Sequence, residues 1–284
     1  IIKALAMHSA KTIVITRPSG QARQLQESLA KAIEESGISS NNFPKILSLP
    51  LLTIVPKEEE QLADYIASAL NDADLAIFVS PNAIESVMRL LSRNWQDFSK
   101  KVIPIGVMGG SSALALKNHG IGLEQNPTPI VIPSDHQHWD SEGLWHALQD
   151  LNWNWAGKKV VIFKGEGGRD WLADTLHENG ASVVGISTYA RVPLSPQHAA
   201  WQALKEKEID FSQSLWLLTS SEAVRYLGQV VQEQGLSSLQ TASAMCSHQN
   251  IANTATQVGF GKIYISEPGD EALIKASLAW LMTE

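Results

Sequence analysis

Short β-branched apolar runs alternate with segments whose apolar residues recur every three or four positions, and the alternation continues along almost the whole chain. A continuous apolar run suits a strand buried on both faces; three-to-four spacing suits one face of a helix. Thr12-Ile13-Val14-Ile15-Thr16 reads as the first strand, and Ala22, Leu25, Leu29, Ala32 and Ile33 as a helix face that Gly37 is placed to stop. Lys45 to Leu49 is the next strand. Pro50 then breaks the pattern, since a central strand does not tolerate proline, and the chain is expected to leave one sheet there. An extended segment, 50–56, leads to a helix on Leu62, Tyr65, Ile66, Ala69 and Leu70. Five strands are expected next, at Leu75 to Val79, Val102 to Met108, Ile130 to Ile132, Val160 to Phe163 and Ser182 to Ser187, with helices between them and Gly120 and Gly180 at helix ends. A second extended segment, Ile186 to Val192, is ended by Pro193 and Pro196. Three further strands, Ser214 to Leu218, Thr241 to Met245 and Lys262 to Ser266, alternate with helices through to Leu281.

The middle of the chain thus holds one five-stranded unit, and the two ends together supply five more strands. An internal repeat supports the pairing. Phe78-Val79-Ser80-Pro81-Asn82-Ala83-Ile84 resembles Leu218-Thr219-Ser220-Ser221-Glu222-Ala223-Val224, and Val107-Met108-Gly109-Gly110-Ser111-Ser112-Ala113 resembles Ala244-Met245-Cys246-Ser247-His248-Gln249-Asn250. Ser141-Glu142-Gly143-Leu144 resembles Asp270-Glu271-Ala272-Leu273. Lys164-Gly165-Glu166-Gly167-Gly168-Arg169 fills the strand-to-helix turn that Arg17-Pro18-Ser19-Gly20-Gln21 fills near the start. This turn comes third in the middle copy and first in the other, so one domain must be split. The expectation is an α/β protein of two similar open parallel-sheet domains, flavodoxin-like or Rossmann-like. Residues 12–49 plus 194–284 form the discontinuous domain, 57–185 the inserted one, and linker strands 50–56 and 186–193 join them. A double linker of this kind permits hinge motion.

Length and charge narrow the function. A chain of 284 residues fits about two domains. A net charge of −7 argues against a general nucleic-acid binder. Cys246 is the single cysteine, which excludes an internal disulfide and a cysteine-clustered metal site and suits a reducing cytoplasm. The opening Ile1-Ile2-Lys3-Ala4-Leu5-Ala6 is too short for a signal peptide, and the residues before Thr12 are expected to be a loose end.

Every repeated turn lies after a strand and before a helix, the edge where open α/β sheets bind ligands. Helix N-termini there present N–H groups and a positive dipole end to an anion. Ser80-Pro81 and Ser220-Ser221 read as ordinary caps, yet two caps at equivalent positions would face one cleft. Gly109-Gly110-Ser111-Ser112 lets a backbone approach a ligand closely, and it is not a P-loop. Lys164-Gly165-Glu166-Gly167-Gly168-Arg169 is only a gapped relative of the dinucleotide fingerprint, and no ribose-binding acid follows it. Arg17, Lys164, Arg169 and Arg191 are either solvated charge or carboxylate binders. Tyr189 is either linker packing or a proton donor in a closed cleft. His136 and His138 read as loop histidines, Cys246 as a small apolar residue, and Trp139, Trp145, Trp153 and Trp155 as packing or a surface patch.

From Thr12 to about Leu281 the chain resembles the uroporphyrinogen-III synthase family. The resemblance is carried by Ile15-Thr16-Arg17-Pro18, Phe78-Val79-Ser80-Pro81-Asn82-Ala83, Ser141-Glu142-Gly143-Leu144, Lys164-Gly165-Glu166-Gly167-Gly168-Arg169, Tyr189 and Thr219-Ser220-Ser221-Glu222-Ala223 in that order. It implies two α/β domains on a two-stranded linker, the first discontinuous, and an enzyme that closes hydroxymethylbilane with loss of water and inverts ring D through a spiro intermediate, without cofactor or metal. It implies Tyr189 as the catalytic residue and Arg17, Ser80, Asn82, Ser111, Ser112, Lys164, Gly168, Arg169 and Ser220 as ligand-edge residues. Where the family often reads Gly-x-Thr-Thr-Ala, this chain has Cys246-Ser247-His248-Gln249-Asn250, so His248 and Gln249 stand where the Thr donors would be. The partners expected are hydroxymethylbilane and, transiently, the preceding pathway enzyme, with no nucleic acid or membrane, for a cytoplasmic monomer. The alternatives are a hinged, non-catalytic binding protein for a small polyanion and a two-lobed nucleotide-sugar transferase. The second lacks a clean diphosphate or ribose motif.

Overall fold

A computed structural model describes residues 11–39, 42–99, 101–135, 138–168, 170–202, 209–235 and 237–283. Their elements in chain order are β1 (Thr12–Ile15), α1 (Ser19–Glu35), β2 (Lys45–Ser48), β3 (Leu52–Pro56), α2 (Glu60–Asn71), β4 (Leu75–Phe78), α3 (Pro81–Leu91), β5 (Ile105–Val107), α4 (Gly110–Asn118), β6 (Ile130–Val131), α5 (Ser141–Gln149), β7 (Lys159–Gly165), α6 (Trp171–Glu178), β8 (Ser182–Pro193), β9 (Ser214–Leu218), α7 (Ser221–Gln234), β10 (Ser243–Cys246), α8 (Gln249–Val258), β11 (Lys262–Ile265) and α9 (Asp270–Leu281). The chain divides into two compact units, one taking the described residues of Ile1–Thr53 and Val192–Glu284, the other those of Ile54–Arg191.

In the first unit the described strands form a five-stranded sheet in the order β11-β10-β9-β1-β2, parallel at every pair. Alternate residues of β1 and β9 enter opposite cores, as the two-residue period of a strand requires. Ile13, Ile15, Leu215 and Leu217 pack with Leu25, Leu29 and Ile33 of α1 and Leu273 and Trp280 of α9. Val14, Trp216 and Leu218 pack with Val224 and Leu227 of α7 and Ile251 and Ala255 of α8. A sheet buried on both faces explains why its strands read as unbroken apolar runs.

The second unit repeats the plan with a six-stranded sheet in the order β3-β8-β7-β4-β5-β6. Its pairs from β8 to β6 are parallel. Phe78, Val107 and Phe163 pack with Ile84 and Val87 of α3 and Leu116 of α4 on one face. Leu75, Ile77, Val160 and Ile162 pack with Leu144 and Leu148 of α5 and Leu172 and Leu176 of α6 on the other. Each such aliphatic side chain contributes about 2 kcal/mol of burial.

Three expectations change in detail. The strand drawn from Val102 to Met108 shortens to β5, because Pro104 has no N–H to continue the ladder, although its carbonyl still accepts from Ala76 N–H at 3.0 Å. The segments 182–187 and 186–192 are one twelve-residue strand, β8. Its register slips at the Lys164/Gly165 step, where Ser187 faces Lys164 but Tyr189 faces Gly165, so Thr188 is unopposed and the strand bulges. β3 adds to the outer half of β8 and runs against it: Lys57 N–H donates to Thr188 C=O at 3.0 Å and Leu194 N–H to Leu51 C=O at 3.0 Å. The tryptophan patch is packing, with Trp145 and Trp155 buried and the Trp153 ring tilted against Trp155, centroids 5.5 Å apart. Gly37, Gly120 and Gly180 follow their helices at φ +76°, +73° and +92°, the left-handed stop expected of them. Residues 1–10, the expected loose end, lie outside the described residues, as does His136.

Asp74 ties three elements together just before β4. Its carboxylate accepts from Lys159 N–H at 2.9 Å and from Lys101 Nζ at 2.8 Å, with Lys158 Nζ at 3.9 Å. Burial pushes its pKa up, but these hydrogen bonds and charges outweigh that and hold it below the ordinary carboxylate value. A carboxylate depressed in the folded state stabilises above its unfolded pKa of about 4 and loses that contribution as pH falls through the folded value. Asp74→Asn is therefore expected to lose about 1–2 kcal/mol at pH 7 and to show a shallower decline in urea midpoint below about pH 4. An acid limb as steep as the parent's would show that Asp74 does not contribute to it.

Candidate functional site: the carboxyl edge of each sheet

Because the helices follow parallel strands, their N-termini gather at the carboxyl edge of their own sheet. In the second unit, β4 ends at Phe78 and Ser80 caps α3, its Oγ accepting from Ala83 N–H at 3.2 Å, with Pro81 at the first helical position. Asp140 caps α5, accepting from Gly143 N–H at 2.8 Å. The sequence reading stopped one residue short of Asp140, although Asp is a strong N-cap type. By contrast, no side chain caps α4, which starts after Gly109, or α6, which starts after Asp170. Ser111 and Ser112 lie in the first turn of α4, Ser111 exposed and Ser112 buried, and Asn82 lies in the first turn of α3.

Tyr189 stands at the centre of this edge. The β8 bulge turns its ring against β7, and it is only 1% exposed. Its hydroxyl lies 2.9 Å from Ser80 Oγ. Arg191 sits over the ring at 5.6 Å, with one guanidinium nitrogen 3.5 Å from the phenol oxygen. Ser80 Oγ accepts from Ala83 N–H, and either hydroxyl of the Ser80–Tyr189 pair can donate to the other. One hydrogen-bonded chain thus runs from the helix terminus through the serine to the phenol. Lys164 pairs with Asp170, and Lys57 with Glu166 at 2.8 Å, whose hydrogen bond holds the Lys57 ammonium above its ordinary pKa. Gly167 and Gly168 adopt φ +70° and +97° in the exposed turn before α6, which only glycine takes without strain. Arg169 lies outside the described residues.

Two of the glycines do a different task from the one expected. A Cβ on Gly109 would lie 2.8 Å from the Trp139 ring and one on Gly110 2.7 Å from it, so the indole takes the close approach to the backbone that is expected of a ligand.

The first unit presents the same edge with other residues. Ser220 caps α7, accepting from Ala223 N–H at 3.3 Å. His248 caps α8 through Nδ1, which accepts from Asn250 N–H at 3.1 Å and so leaves Nε2 carrying the proton. Gln249 donates to Asn253 Oδ1 at 2.9 Å. No side chain caps α1, after Pro18, or α9, after Gly269. Arg17 bonds Asp270 Oδ1 at 2.6 Å and Thr219 Oγ1 at 3.3 Å. Asp270 and Thr219 escaped the sequence reading as partners of Arg17 because more than two hundred residues separate them from it. Cys246 is fully buried, and burial pushes its thiol up to about 11, so it is an inert apolar residue, as read. Among the described residues no group of three or more His, Cys, Asp or Glu side chains is placed to hold a metal ion, and no helix is long and apolar enough to cross a membrane.

The family model described as Uroporphyrinogen-III synthase HemD matches residues 11–275. The uroporphyrinogen-III synthase of Escherichia coli (strain K12) is 27% identical over 274 residues, 93% of this chain and 99% of that one. Two solved structures share the fold. A mutant uroporphyrinogen III synthase from the extremely thermophilic bacterium Thermus thermophilus has TM-score 0.58 at 15% identity, covering 96% of this chain and 99% of that one. The uroporphyrinogen-III synthetase of Helicobacter pylori 26695 has TM-score 0.58 at 16% identity, covering 95% and 99%. With nearly the whole chain matched by the family model, the protein belongs to the uroporphyrinogen-III synthase family.

Proposed function

We propose that the chain cyclises hydroxymethylbilane to uroporphyrinogen III, with Tyr189 as the proton donor at the leaving hydroxyl. The observation that carries the proposal is the phenol held 2.9 Å from Ser80 Oγ at the N-terminus of α3, beside Arg191. When the terminal C–O bond of the bilane breaks, the pyrrole nitrogen lone pair pushes out hydroxide, the phenol proton completes it to water, and an azafulvene cation remains on the substrate. The phenolate left on Tyr189 is then stabilised by the Ser80 O–H and the Arg191 guanidinium, groups already oriented before charge develops. Ring D attacks the azafulvene through its substituted carbon to give the spiro intermediate. Cleavage and reclosure reverse that ring, and the proton lost on rearomatisation returns to the phenolate. Uncatalysed closure keeps ring D in its original sense, so the protein's main task is to hold the pose that favours the spiro route.

The substrate is an octacarboxylate. Support for carboxylate binding comes from the N-termini of α1, α4, α6 and α9, whose N-cap residues make no side-chain cap and whose first backbone N–H groups can take carboxylate oxygens. Arg17, Asn82, Ser111, Ser112, Lys164, Gly168, Arg169, Ser220, His248 and Gln249 are assigned to the same task. His248 would donate through Nε2–H in place of a Thr hydroxyl. Because Tyr189 is only 1% exposed, the groups packed over its ring must part for the bilane to reach the phenol. We also propose a cytoplasmic monomer that takes its labile substrate from the preceding enzyme.

Supplying hydroxymethylbilane and separating the oxidised porphyrin isomers tests the reaction: dominant type III product is expected, and type I alone would indicate a binding protein instead. Tyr189→Phe should lower kcat by about 100-fold with the circular dichroism spectrum unchanged; turnover at the parent rate would remove the phenol from the mechanism. Lys164→Ala should raise KM several-fold at low ionic strength and much less at about 0.5 M salt. A KM equal to the parent's at low salt would take Lys164 out of the binding set.

A further inference from the structure

Gly165 closes β7 opposite Tyr189 in the β7–β8 ladder, immediately after the bulge. Its φ is not in the left-handed range that several other glycines of the chain adopt, so backbone conformation does not explain the residue. Space does. A Cβ built on Gly165 would lie 2.7 Å from both Cε2 and Cζ of Tyr189 and 3.1 Å from its hydroxyl oxygen. These atoms are the tip of the ring, the part that carries the reacting proton. Gly185, on the neighbouring strand, is a contrast: a methyl there would meet only the Lys164 stem, at an ordinary 3.7 Å.

We propose that Gly165 is a positioning residue for the cyclisation, the absent side chain that lets the Tyr189 ring lie flat on β7 with its hydroxyl at Ser80. The inference rests on the role given to Tyr189 above. A methyl at 165 cannot be absorbed by backbone movement alone, because Glu166 N–H is bonded to Tyr189 C=O at 2.8 Å and keeps the two strands together. The ring tip has to swing away instead. A displacement of several tenths of an ångström lengthens the 2.9 Å contact with Ser80 and takes the phenol out of the hydrogen-bonded chain that runs from α3. The loss therefore falls on proton delivery, while the groups that hold the carboxylates stay in place.

The test is a double-mutant cycle on turnover and on thermal stability. Gly165→Ala is expected to lower kcat for hydroxymethylbilane at least about tenfold with KM within about twofold, whereas Gly185→Ala keeps the parent kcat. Gly165→Ala combined with Tyr189→Phe should be no slower than Tyr189→Phe alone, because a residue acting through the phenol has nothing further to remove. If the two losses multiply, or if Gly165→Ala turns over at the parent rate while Tyr189→Phe is slow, the proposal for Gly165 fails and the role of Tyr189 stands. If Tyr189→Phe itself is as fast as the parent, both fail. Should Gly165→Ala fold poorly, Tm decides: the drop it causes is expected to vanish in a Tyr189→Leu background, where the ring tip is gone. An equal drop in both backgrounds would make Gly165 a backbone requirement and overturn the inference.

Discussion

A parallel strand can be followed by another only through a crossover, and in both units the crossovers are helices that begin where a strand ends. Every consequence for chemistry descends from that constraint. It collects N-terminal N–H groups along one edge of each sheet, it buries both sheet faces so that the edge alone is left for function, and it brings residues distant in sequence, such as Arg17 and Asp270, to adjacent turns. Some of those N–H groups are satisfied internally by Ser80, Asp140, Ser220 and His248, and others have no side-chain cap. The pattern of caps, rather than any single reactive side chain, distinguishes this edge.

Within the second unit the same edge shows how a sheet irregularity places a side chain. The bulge at Thr188 shifts β8 by one residue against β7, and that shift sets Tyr189 over Gly165 and next to Ser80. Thr188 itself is fully buried, its hydroxyl 3.4 Å from Lys164 C=O, so a backbone acceptor beside the bulge is met by the residue that the bulge leaves over. A glycine that accommodates an aromatic ring recurs at Gly109 and Gly110 under Trp139. The glycines of these turns serve the chain's own rings as much as any approaching ligand.

Strand and helix types were legible from the sequence because doubly buried strands leave unbroken apolar runs and their helices keep a three-to-four spacing, as in Ile13 to Ile15 and Leu25, Leu29 and Ile33. The repeat placed Ser80 and Ser220 at equivalent turns, and both are caps. What the sequence could not supply was pairing at long range. Nothing in the residues around Lys164, Lys57 or Arg17 says that Asp170, Glu166 and Asp270 sit against them, nor that Trp139 fills the space over Gly109 and Gly110. The antiparallel addition of β3 and the fusion of two extended segments into β8 escaped for the same reason: strand partners are a tertiary property, whereas the end at Pro193 is local and is where β8 does stop.

The paired cations carry a consequence for selectivity. Arg17 and Lys164 each hold a carboxylate tethered to the same fold, at an effective concentration that a lone acetate-like anion in solution does not match. A monovalent acid gains little by displacing such a tether. A flexible chain bearing many acid groups competes on different terms: once one group is seated, its neighbours are themselves tethered, and the exchange becomes intramolecular on both sides. If these turns take the carboxylates of the substrate as proposed, their internal ion pairs favour a polyacid over a simple monovalent acid.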